Sequence, residues 1–307
     1  MLKKRIEKLM GNRFEFTVIA QNEAEADKFL EAAVKETQRI EQKLTTYNQQ
    51  SETFLINENA GISPVKVSEE TYRLIERSIK ISHLTQGAFD ITYGSIDKRF
   101  WNFDTKMTEL PHPDEAKKSV QLINYQNIIL DEKDFSVFLK EKGMRIGFGG
   151  IGKGYAADKV KKLLQTMGVT SGIINAAGDL TTWGTQEDGT AWTVGIAHPD
   201  LSHTPFSYLE INDWAVATSG NYEKFVMIGG KKYSHTIDPK TGYPIQGIKS
   251  VTIISPSAEI SDALATPVTI MGIQAGLGMI NQMKNIACII IDDANTIYTS
   301  KNIKLTN

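Results

Sequence analysis

Strand-like and helix-like patterns follow one another along this chain without a regular strand–helix–strand alternation. Apolar and polar residues alternate over residues 13–20, as in a half-buried strand, and helical spacing follows over residues 23–44. Asn22 is the predicted N-cap of that helix. A doubly wound parallel sheet needs repeated strand–helix–strand units. The order therefore favours an α+β fold, either as one domain or as two intimately packed halves.

The remaining elements are predicted from periodicity and from glycine and proline positions. Three more helices are expected, over residues 69–86 after Ser68, 155–167 ahead of Gly168, and 259–271 with Pro267 inside. Strands are expected at 128–130, 135–139, Gly172–Ile174, Trp192–Ala197, Tyr208–Ile211 and Val251–Ile254, with a hairpin over 287–300. The polar stretch 104–118, which contains Pro111 and Pro113, is predicted to be a loop.

Composition indicates a globular protein that is expected to be soluble. Of 307 residues, 41% are hydrophobic and 23% are charged, and the formal net charge is -2. That charge gives no general attraction to nucleic acid or to an anionic membrane. No apolar run approaches the length of a membrane span. Two locations stay open: the cytoplasm, or a membrane-anchored position outside it after removal of a signal segment.

The single cysteine excludes an intrachain disulfide framework, so it does not indicate the redox compartment. Cys288 lies in the apolar run 286–291, where a buried structural thiol is expected rather than a nucleophile.

A glycine-rich segment is the first candidate for ligand binding. Residues 147–154 contain five glycines in eight residues and precede the predicted helix 155–167. Such a backbone can approach a ligand closely, and a helix N-terminus favours anions. Gly154 rather than Ser or Thr follows Lys153, so this is not a Walker A loop. Phosphate binding and a ligand-free flexible turn are both compatible with these residues.

A histidine in a turn-rich stretch is the second candidate. His235 precedes the dipeptides Asp238-Pro239 and Thr241-Gly242, which favour tight turns. A histidine held at such a bend can exchange a proton near neutral pH. A structural histidine that bonds a turn carbonyl is the alternative.

A carboxylate and a hydroxyl on one helix face are the third candidate. Asp262 and Thr266 are four residues apart, so they share a face and could bind a hard cation through oxygen. Pro267 lacks the N–H that would bond the carbonyl of Ala263. The alternative is an exposed Asp262 and a Thr266 bonded back to its own helix.

Three shorter segments, 86–92, 175–179 and 217–222, read individually as loops or small-residue turns. Taken in order with the others, they resemble the ApbE family, the FAD:protein FMN transferases, from about Met10 to Gly272. The segments that carry this resemblance are Gly87–Asp90 (G-A-F-D), Gly149–Asp158 (G-G-I-G-K-G-Y-A-A-D), Ala217–Tyr222 (with T-S-G-N-Y), Tyr233–Pro244 (with S-H-T-I-D-P-K-T-G-Y-P) and Asp262–Thr266 (D-A-L-A-T).

The resemblance implies an ApbE-like, T-fold-like α+β arrangement, one large domain of two closely packed parts over residues 1–307. It implies that FAD is the substrate and Mg²⁺ the cofactor. FMN would pass to a Thr or Ser hydroxyl of an acceptor flavoprotein subunit or domain, and AMP would leave. Alternatives are an FAD pyrophosphatase that releases FMN and AMP, and a flavin-binding protein without turnover. No nucleic-acid partner and no transmembrane segment are expected.

The resemblance also assigns roles to individual residues. His235 matches the family's proposed general base. The metal-contacting positions are Gly150, Asp262, Ala265 and Thr266, and the FAD-contacting positions are Met10, Tyr47, Ala88, Phe89, Asp90, Gly147, Lys153 and Thr236.

The chain departs from the family pattern at several positions. Many relatives carry Asp where this chain has Gly147, Ala where it has Gly152, and a residue other than proline at Pro267. Ala176-Ala177-Gly178 replaces a more usual glycine pair.

Overall fold

The computed structural model describes residues 1–97, 109–197, 205–220, 225–234 and 236–303. Helices α1 to α7 comprise Glu23–Leu44, Glu52–Glu58, Glu69–Leu84, Pro113–Ser119, Gly152–Thr166, Ala258–Met271 and Ile273–Ile280. Strands β1 to β15 comprise Leu2–Leu9, Asn12–Ile19, Val65–Lys66, Ile128–Asp131, Ser136–Leu139, Gly172–Ala176, Asp179–Trp183, Trp192–Ala197, Pro205–Ile211, Ala215–Gly220, Phe225–Ile228, Lys231–Ser234, Ile248–Ser255, Ala287–Asp292 and Ile297–Thr299.

An eight-stranded sheet is the framework on which the helices pack. Its strand order is β1-β2-β6-β7-β10-β13-β14-β15, and every pairing in it is antiparallel. Smaller antiparallel sheets are formed by β3, β5 and β4, by β8 and β9, and by β11 and β12. The predicted α+β class, with mixed helices and antiparallel sheets, is confirmed.

Helices α1, α5 and α6 pack on one face of the main sheet. Helix α1 begins where predicted, and the side chain of Asn22 accepts the N–H of Glu25. Its buried stripe includes Phe29 and Leu30, and strand β2 contributes the fully buried Phe14 and Phe16 to the same core. Apolar burial on this face is therefore what brings α1, α5 and α6 together over the strands.

The opposite face of the sheet is covered by the hairpin of β8 and β9. Val194 and Ile196 of β8 join Leu180, Val216 and Ile254 from the main sheet in a second buried cluster. Successive strand residues point to opposite faces, so Ile253 lies in the first core and Ile254 in the second. Both faces of the central strands are thus buried.

Most predicted elements are confirmed, with small shifts at their ends. Helix α3 ends at Leu84, two residues before its predicted end at residue 86. Helix α5 begins at Gly152, three residues before its predicted start at residue 155. The predictions do not include strands β1, β3, β7, β10, β11 and β12 or the short helices α2 and α7. The reading of 217–222 as a small-residue turn is wrong for 217–220, which lie in β10 and pair with β13. In β1, exposed and half-buried residues alternate at the sheet edge, so it lacks the apolar face that identifies a strand.

The prediction of a loop over residues 104–118 is wrong for its second half, where α4 begins at Pro113. The side chains of His112 and Glu115 form a reciprocal capping box with the main chain. Proline at the first helical position loses no hydrogen bond, because that N–H has no helical acceptor. The proline that suggested a loop therefore starts a helix; residues 104–108 lie outside the described residues.

Cys288 lies in β14 and is buried, as predicted. Burial raises the pKa of its thiol to about 12, so the thiol stays protonated and acts as a small apolar side chain. Among the helices of the described ranges, none combines the length and hydropathy of a membrane-spanning segment.

Candidate functional site

The glycine-rich turn ends in a close contact between α5 and α6. A Cβ atom at Gly154 would lie 2.1 Å from the carbonyl oxygen of Ala258 and 2.9 Å from the Cβ of Asp262. The backbone N–H of Gly154 donates to Oδ2 of Asp262 at 3.0 Å. Only glycine allows this approach, and the approach places the first turn of α5 directly against the Asp262 carboxylate.

Asp158, the last residue of the segment Gly149–Asp158, caps α6. Its Oδ1 accepts the N–H of Ala258 at 3.0 Å, and its Oδ2 accepts the N–H of Glu259 at 3.0 Å and the hydroxyl of Ser257 at 2.7 Å. The carboxylate thus satisfies main-chain donors that the helix cannot satisfy itself, and its charge suits the positive helix end. The segment that begins α5 also holds the start of α6.

Lys153, Asp179 and Asp262 form a charged cluster at the N-terminal end of α5. The Lys153 Nζ lies 2.8 Å from Oδ2 of Asp179 and 3.4 Å from Oδ1 of Asp262. The two aspartate side chains are only 6% and 7% exposed, and the lysine side chain is 23% exposed. One ammonium group therefore stands between two buried carboxylates.

Burial and the neighbouring charges both shift the pKa values of Asp179 and Lys153. Burial raises the pKa of Asp179, the nearby Asp262 carboxylate raises it further, and the Lys153 ammonium opposes both effects. For Lys153, burial lowers the pKa, but the two carboxylates outweigh it and the net pKa is raised. The lysine is therefore held in its charged form.

Thr266 lies one turn beyond Asp262 on α6 and faces strand β10. Its hydroxyl donates to the Ser219 hydroxyl across a long contact of 3.5 Å. The alternative given by the sequence is an exposed Asp262 together with a Thr266 bonded back to its own helix. Its first part is wrong, because Asp262 is buried. Ala265 is also buried, and its carbonyl accepts the Thr269 hydroxyl at 2.9 Å.

The oxygen donors on this face of α6 fit a hard divalent cation. Asp262 accepts the Gly154 N–H at 3.0 Å and meets the lysine at 3.4 and 3.5 Å, and the described contact of the Thr266 hydroxyl is long. A carboxylate has more lone pairs than these contacts use. Within the described part of the chain, no group of three or more His, Cys, Asp or Glu side chains could hold a metal. Mg²⁺ usually takes few protein ligands and completes its shell with water and phosphate oxygens. The donor set matches that behaviour.

Other predicted ligand-contacting residues converge on the glycine-rich turn. A Cβ atom at Gly152 would lie 3.5 Å from Cε of Met10, and one at Gly150 would lie 3.7 Å from Cε2 of Phe89. The N–H of Gly147 donates to the carbonyl of Ile91 at 2.9 Å. Three segments that are distant in sequence are thus neighbours here.

Asp90 has a local structural task. One oxygen accepts the N–H and the hydroxyl of Thr92, at 2.8 and 2.6 Å, and the other accepts the N–H of Tyr125 at 2.8 Å. Burial raises its pKa, although these bonds oppose the shift. Ala88 and Phe89 beside it are buried as well. The carboxylate fixes the turn that presents residues 88–90.

Tyr47 and Thr236 are not brought into contact with the charged cluster by any described bond. The Tyr47 side chain is 93% exposed, whereas Thr236 is buried and its N–H donates to the Ser234 hydroxyl at 3.0 Å. The next residue is tied to the 88–95 region, because the Tyr93 hydroxyl accepts the N–H of Ile237 at 3.0 Å. The predicted base, His235, lies outside the described residues.

Sequence reasoning missed Asp179, Asp158 and Ser219 as parts of this site. Asp179 lies in a segment that read as a loop, but it is the first residue of β7. The turn before it places Ala177 and Gly178 at φ values of 57° and 97°, a conformation for which glycine is the usual signal. Nothing in the local sequence shows that β7 neighbours α5.

A cleft of about 400 Å³ opens beside the residues that follow α3. It is bounded by Gly87 and Asp90 on one side and by Pro239 and Lys240 on the other. Its lining therefore includes residues from two of the segments that carry the family resemblance, Gly87–Asp90 and Tyr233–Pro244.

Comparison with known proteins gives a consistent match. The family model described as "ApbE family" matches residues 10–290. A Klebsiella pneumoniae protein named FAD:protein FMN transferase is 30% identical over 299 residues, which is 97% of this chain and 91% of that protein. A Vibrio cholerae protein of the same name is 27% identical over 302 residues, 96% and 90% of the two chains.

Solved structures match over nearly the whole length. The crystal structure of the ApbE protein from Thermotoga maritima has a TM-score of 0.88 at 28% identity, covering 98% of this chain and 97% of that one. The flavin transferase ApbE from Vibrio cholerae has a TM-score of 0.86 at 24% identity, with 98% and 97% covered; at that identity the likeness concerns the fold.

The capping role of Asp158 gives a stability prediction. Asp158→Ala should lower the free energy of unfolding by about 2 kcal/mol, because losing a helix cap typically costs about 0.5–2 kcal/mol and here three donors lose their acceptor. Urea unfolding followed by circular dichroism measures the change. Asp131→Ala, which removes one exposed turn bond from Lys133 N–H, is the control and should change the value by less than about 0.5 kcal/mol. Equal losses in both variants would contradict the capping role.

Proposed function

The chain belongs to the ApbE family, and from this premise we propose that it transfers FMN from FAD to a Thr or Ser hydroxyl of an acceptor protein and releases AMP. The relatives named FAD:protein FMN transferase support flavin transfer as the activity. The structural observation that carries the proposal is the buried cluster of Lys153, Asp179 and Asp262 at the start of α5. Residues 1–307 would act together as one ApbE-like domain.

The reaction is a displacement at phosphorus. The acceptor oxygen bonds to the FMN phosphorus, the bond from that phosphorus to the bridging oxygen breaks, and AMP leaves with the bridging oxygen. Catalysis therefore requires that the pyrophosphate charge is balanced, that the hydroxyl is aligned and that its proton is removed. His235 would take that proton. Lys153, fixed in its charged form, would offer its remaining N–H to a phosphate oxygen.

Mg²⁺ would supply positive charge beside the pyrophosphate oxygens. The residues proposed to hold it are the side chains of Asp262 and Thr266, with main-chain oxygens of Gly150 and Ala265. The Ala265 carbonyl already accepts one hydrogen bond, but a carbonyl oxygen has a second lone pair. Phosphate oxygens of bound FAD would add ligands to those of the protein and strengthen the binding of the ion.

FAD would lie along the glycine-rich turn. Met10 and Phe89 lie beside that turn, Gly147 begins it, and Ala88 and Asp90 flank Phe89. Tyr47 follows α1 by three residues and its exposed ring is free to stack on a flavin or adenine. Thr236 would contact FAD from the loop that Tyr93 anchors.

One assay separates the transferase from an FAD pyrophosphatase and from a passive flavin binder. The protein is incubated with FAD and Mg²⁺, with and without a library of peptides that carry one Thr or Ser in varied surroundings. A transferase gives AMP and flavin fluorescence that stays with the peptide after denaturation. AMP without labelled peptide would indicate hydrolysis, and neither product would indicate binding alone.

Removing the proposed metal ligand should stop the chemistry. Asp262→Ala should reduce AMP release by about a hundredfold or more, because a charged ligand to a hard cation is worth several kcal/mol in the transition state. Excess EDTA should do the same to the unaltered protein. Because Asp262 also accepts the Gly154 N–H, a melting curve must show that the variant is folded. Full activity in EDTA would rule out the metal role.

His235→Ala tests the proposed base. The variant should bind FAD with unchanged affinity and lose FMN transfer by roughly a hundredfold or more, as expected for loss of general-base catalysis. FAD titration by calorimetry and the peptide-labelling rate measure the two effects separately. A folded variant that no longer binds FAD would make His235 a binding residue instead.

Gly147→Asp tests the departure from the family pattern. The structure accommodates it, because a Cβ atom at Gly147 meets nothing within 4 Å and its φ is outside the left-handed range. The variant should bind FAD about tenfold more tightly, since a charge-assisted hydrogen bond is typically worth about 1.5–3 kcal/mol.

Gly149→Asp is the matched control, because Gly149 is equally open and also outside the left-handed range. It adds the same charge two residues away and should not strengthen binding. Calorimetry at equal Mg²⁺ compares the three proteins. Equal or weaker FAD binding by Gly147→Asp would mean that the nucleotide lies differently against residues 147–153.

A further inference from the structure

Asp179 is a buried charged residue to which the family resemblance assigns no role here. It follows the tight turn at Ala177 and Gly178 and is the first residue of β7. Its Oδ2 lies 2.8 Å from the Lys153 Nζ, nearer than the 3.4 Å that separates the same nitrogen from Asp262. The main chain of Thr218 also acts on the Asp179 carboxylate and lowers its pKa.

The position of the Lys153 ammonium matters because it stands beside a proposed metal ligand. A lysine ammonium and a divalent cation compete for the same carboxylate, and they repel each other most strongly where water is excluded. With both aspartates ionised, the cluster carries two negative charges and one positive charge. With one carboxylate removed, the ammonium alone would neutralise the other.

We infer that Asp179 is a positioning residue that holds the ammonium of Lys153 and so leaves the Asp262 carboxylate available to a divalent cation. The inference rests on the proposed function, since it gives Asp262 the role of metal ligand. In this role Asp179 contacts neither the cation nor the nucleotide. Its effect passes through Lys153 and through the net charge of the cluster.

If Asp179 acts through its charge, a second substitution that restores the net charge of the cluster should reverse the effect of losing it. If Asp179 only supports the packing, it should not. Asp179→Asn removes the negative charge with almost no change of shape, so Lys153 shifts fully to Asp262 and cation affinity falls. Lys153→Met removes the competing ammonium. The double variant restores the net charge of the unaltered cluster and should recover the affinity. A residue needed only for packing would show no such recovery.

The experiment uses the full chain with Mn²⁺ alone as the probe, without flavin, at mildly alkaline pH because burial raises the pKa of Asp179. Free Mn²⁺ is followed by electron paramagnetic resonance. Asp179→Asn should weaken Mn²⁺ binding about tenfold or more, and Asp179→Asn with Lys153→Met should return to within about threefold of the unaltered protein. Lys153→Met alone should bind at least as tightly as the unaltered protein.

Asp179→Glu is the second variant, because it keeps the charge and should keep the affinity within a few fold even if Asp179→Asn folds poorly. Circular dichroism confirms that each protein is folded. Equal affinity in Asp179→Asn and the unaltered protein, no recovery in the double variant, or no Mn²⁺ binding by the unaltered protein would overturn the inference.

FMN transfer to the peptide library is measured on the unaltered protein as a separate readout. Transfer without the expected order of Mn²⁺ affinities would refute the role of Asp179 and leave the proposed function standing. The expected order of Mn²⁺ affinities without FMN transfer or AMP release would support the role of Asp179 and refute the proposed function.

Discussion

The close contact between α5 and α6 determines where the chemically important groups stand. Gly154 allows the two helices to approach until its N–H bonds the Asp262 carboxylate, and Asp158 holds the first turn of α6 from the same side. Both residues belong to the segment that also contains Lys153. A single short stretch of chain therefore sets the spacing between the cation of α5 and the carboxylate of α6.

That contact also explains why a charged cluster can be buried at all. Isolated charges in a protein interior are costly, and the cost is offset only when each group is paired and hydrogen-bonded. Lys153 has two carboxylate partners, Asp179 has Lys153, and Asp262 has Lys153 and the Gly154 N–H. Asp179, the third member of the cluster, comes from strand β7 of the main sheet. Strand β7 and its neighbour β10 both pack against α6.

The sequence predicts the individual helices and their caps better than the contacts between elements that are distant in the chain. The caps Asn22 and Ser68 and the helix that carries Asp262 and Thr266 could be read from spacing, since capping and helical periodicity are local properties. Asp179 could not be placed, because its partner lies 26 residues away on another element. Helix α4 is not predicted because Pro113 suggests a loop and because its capping box starts at His112 rather than at the usual Ser or Thr. The ligand-contacting roles came from resemblance to a family and not from periodicity.

The order of strands in the main sheet bears on how the chain reaches this structure. Strand β2 pairs with β6, so Phe16 lies opposite Ile174 although more than 150 residues separate them. At a synthesis rate of about 5–20 residues per second, the β1–β2 hairpin waits roughly 10–30 s for its neighbour. During that interval Phe14, Phe16 and Val18, all fully buried in the finished fold, can pack against α1, which follows directly, but lack β6 and the later helices of the same core. The main sheet is therefore completed only after a distant part of the chain has been made, and sheets closed by such distant pairings form slowly.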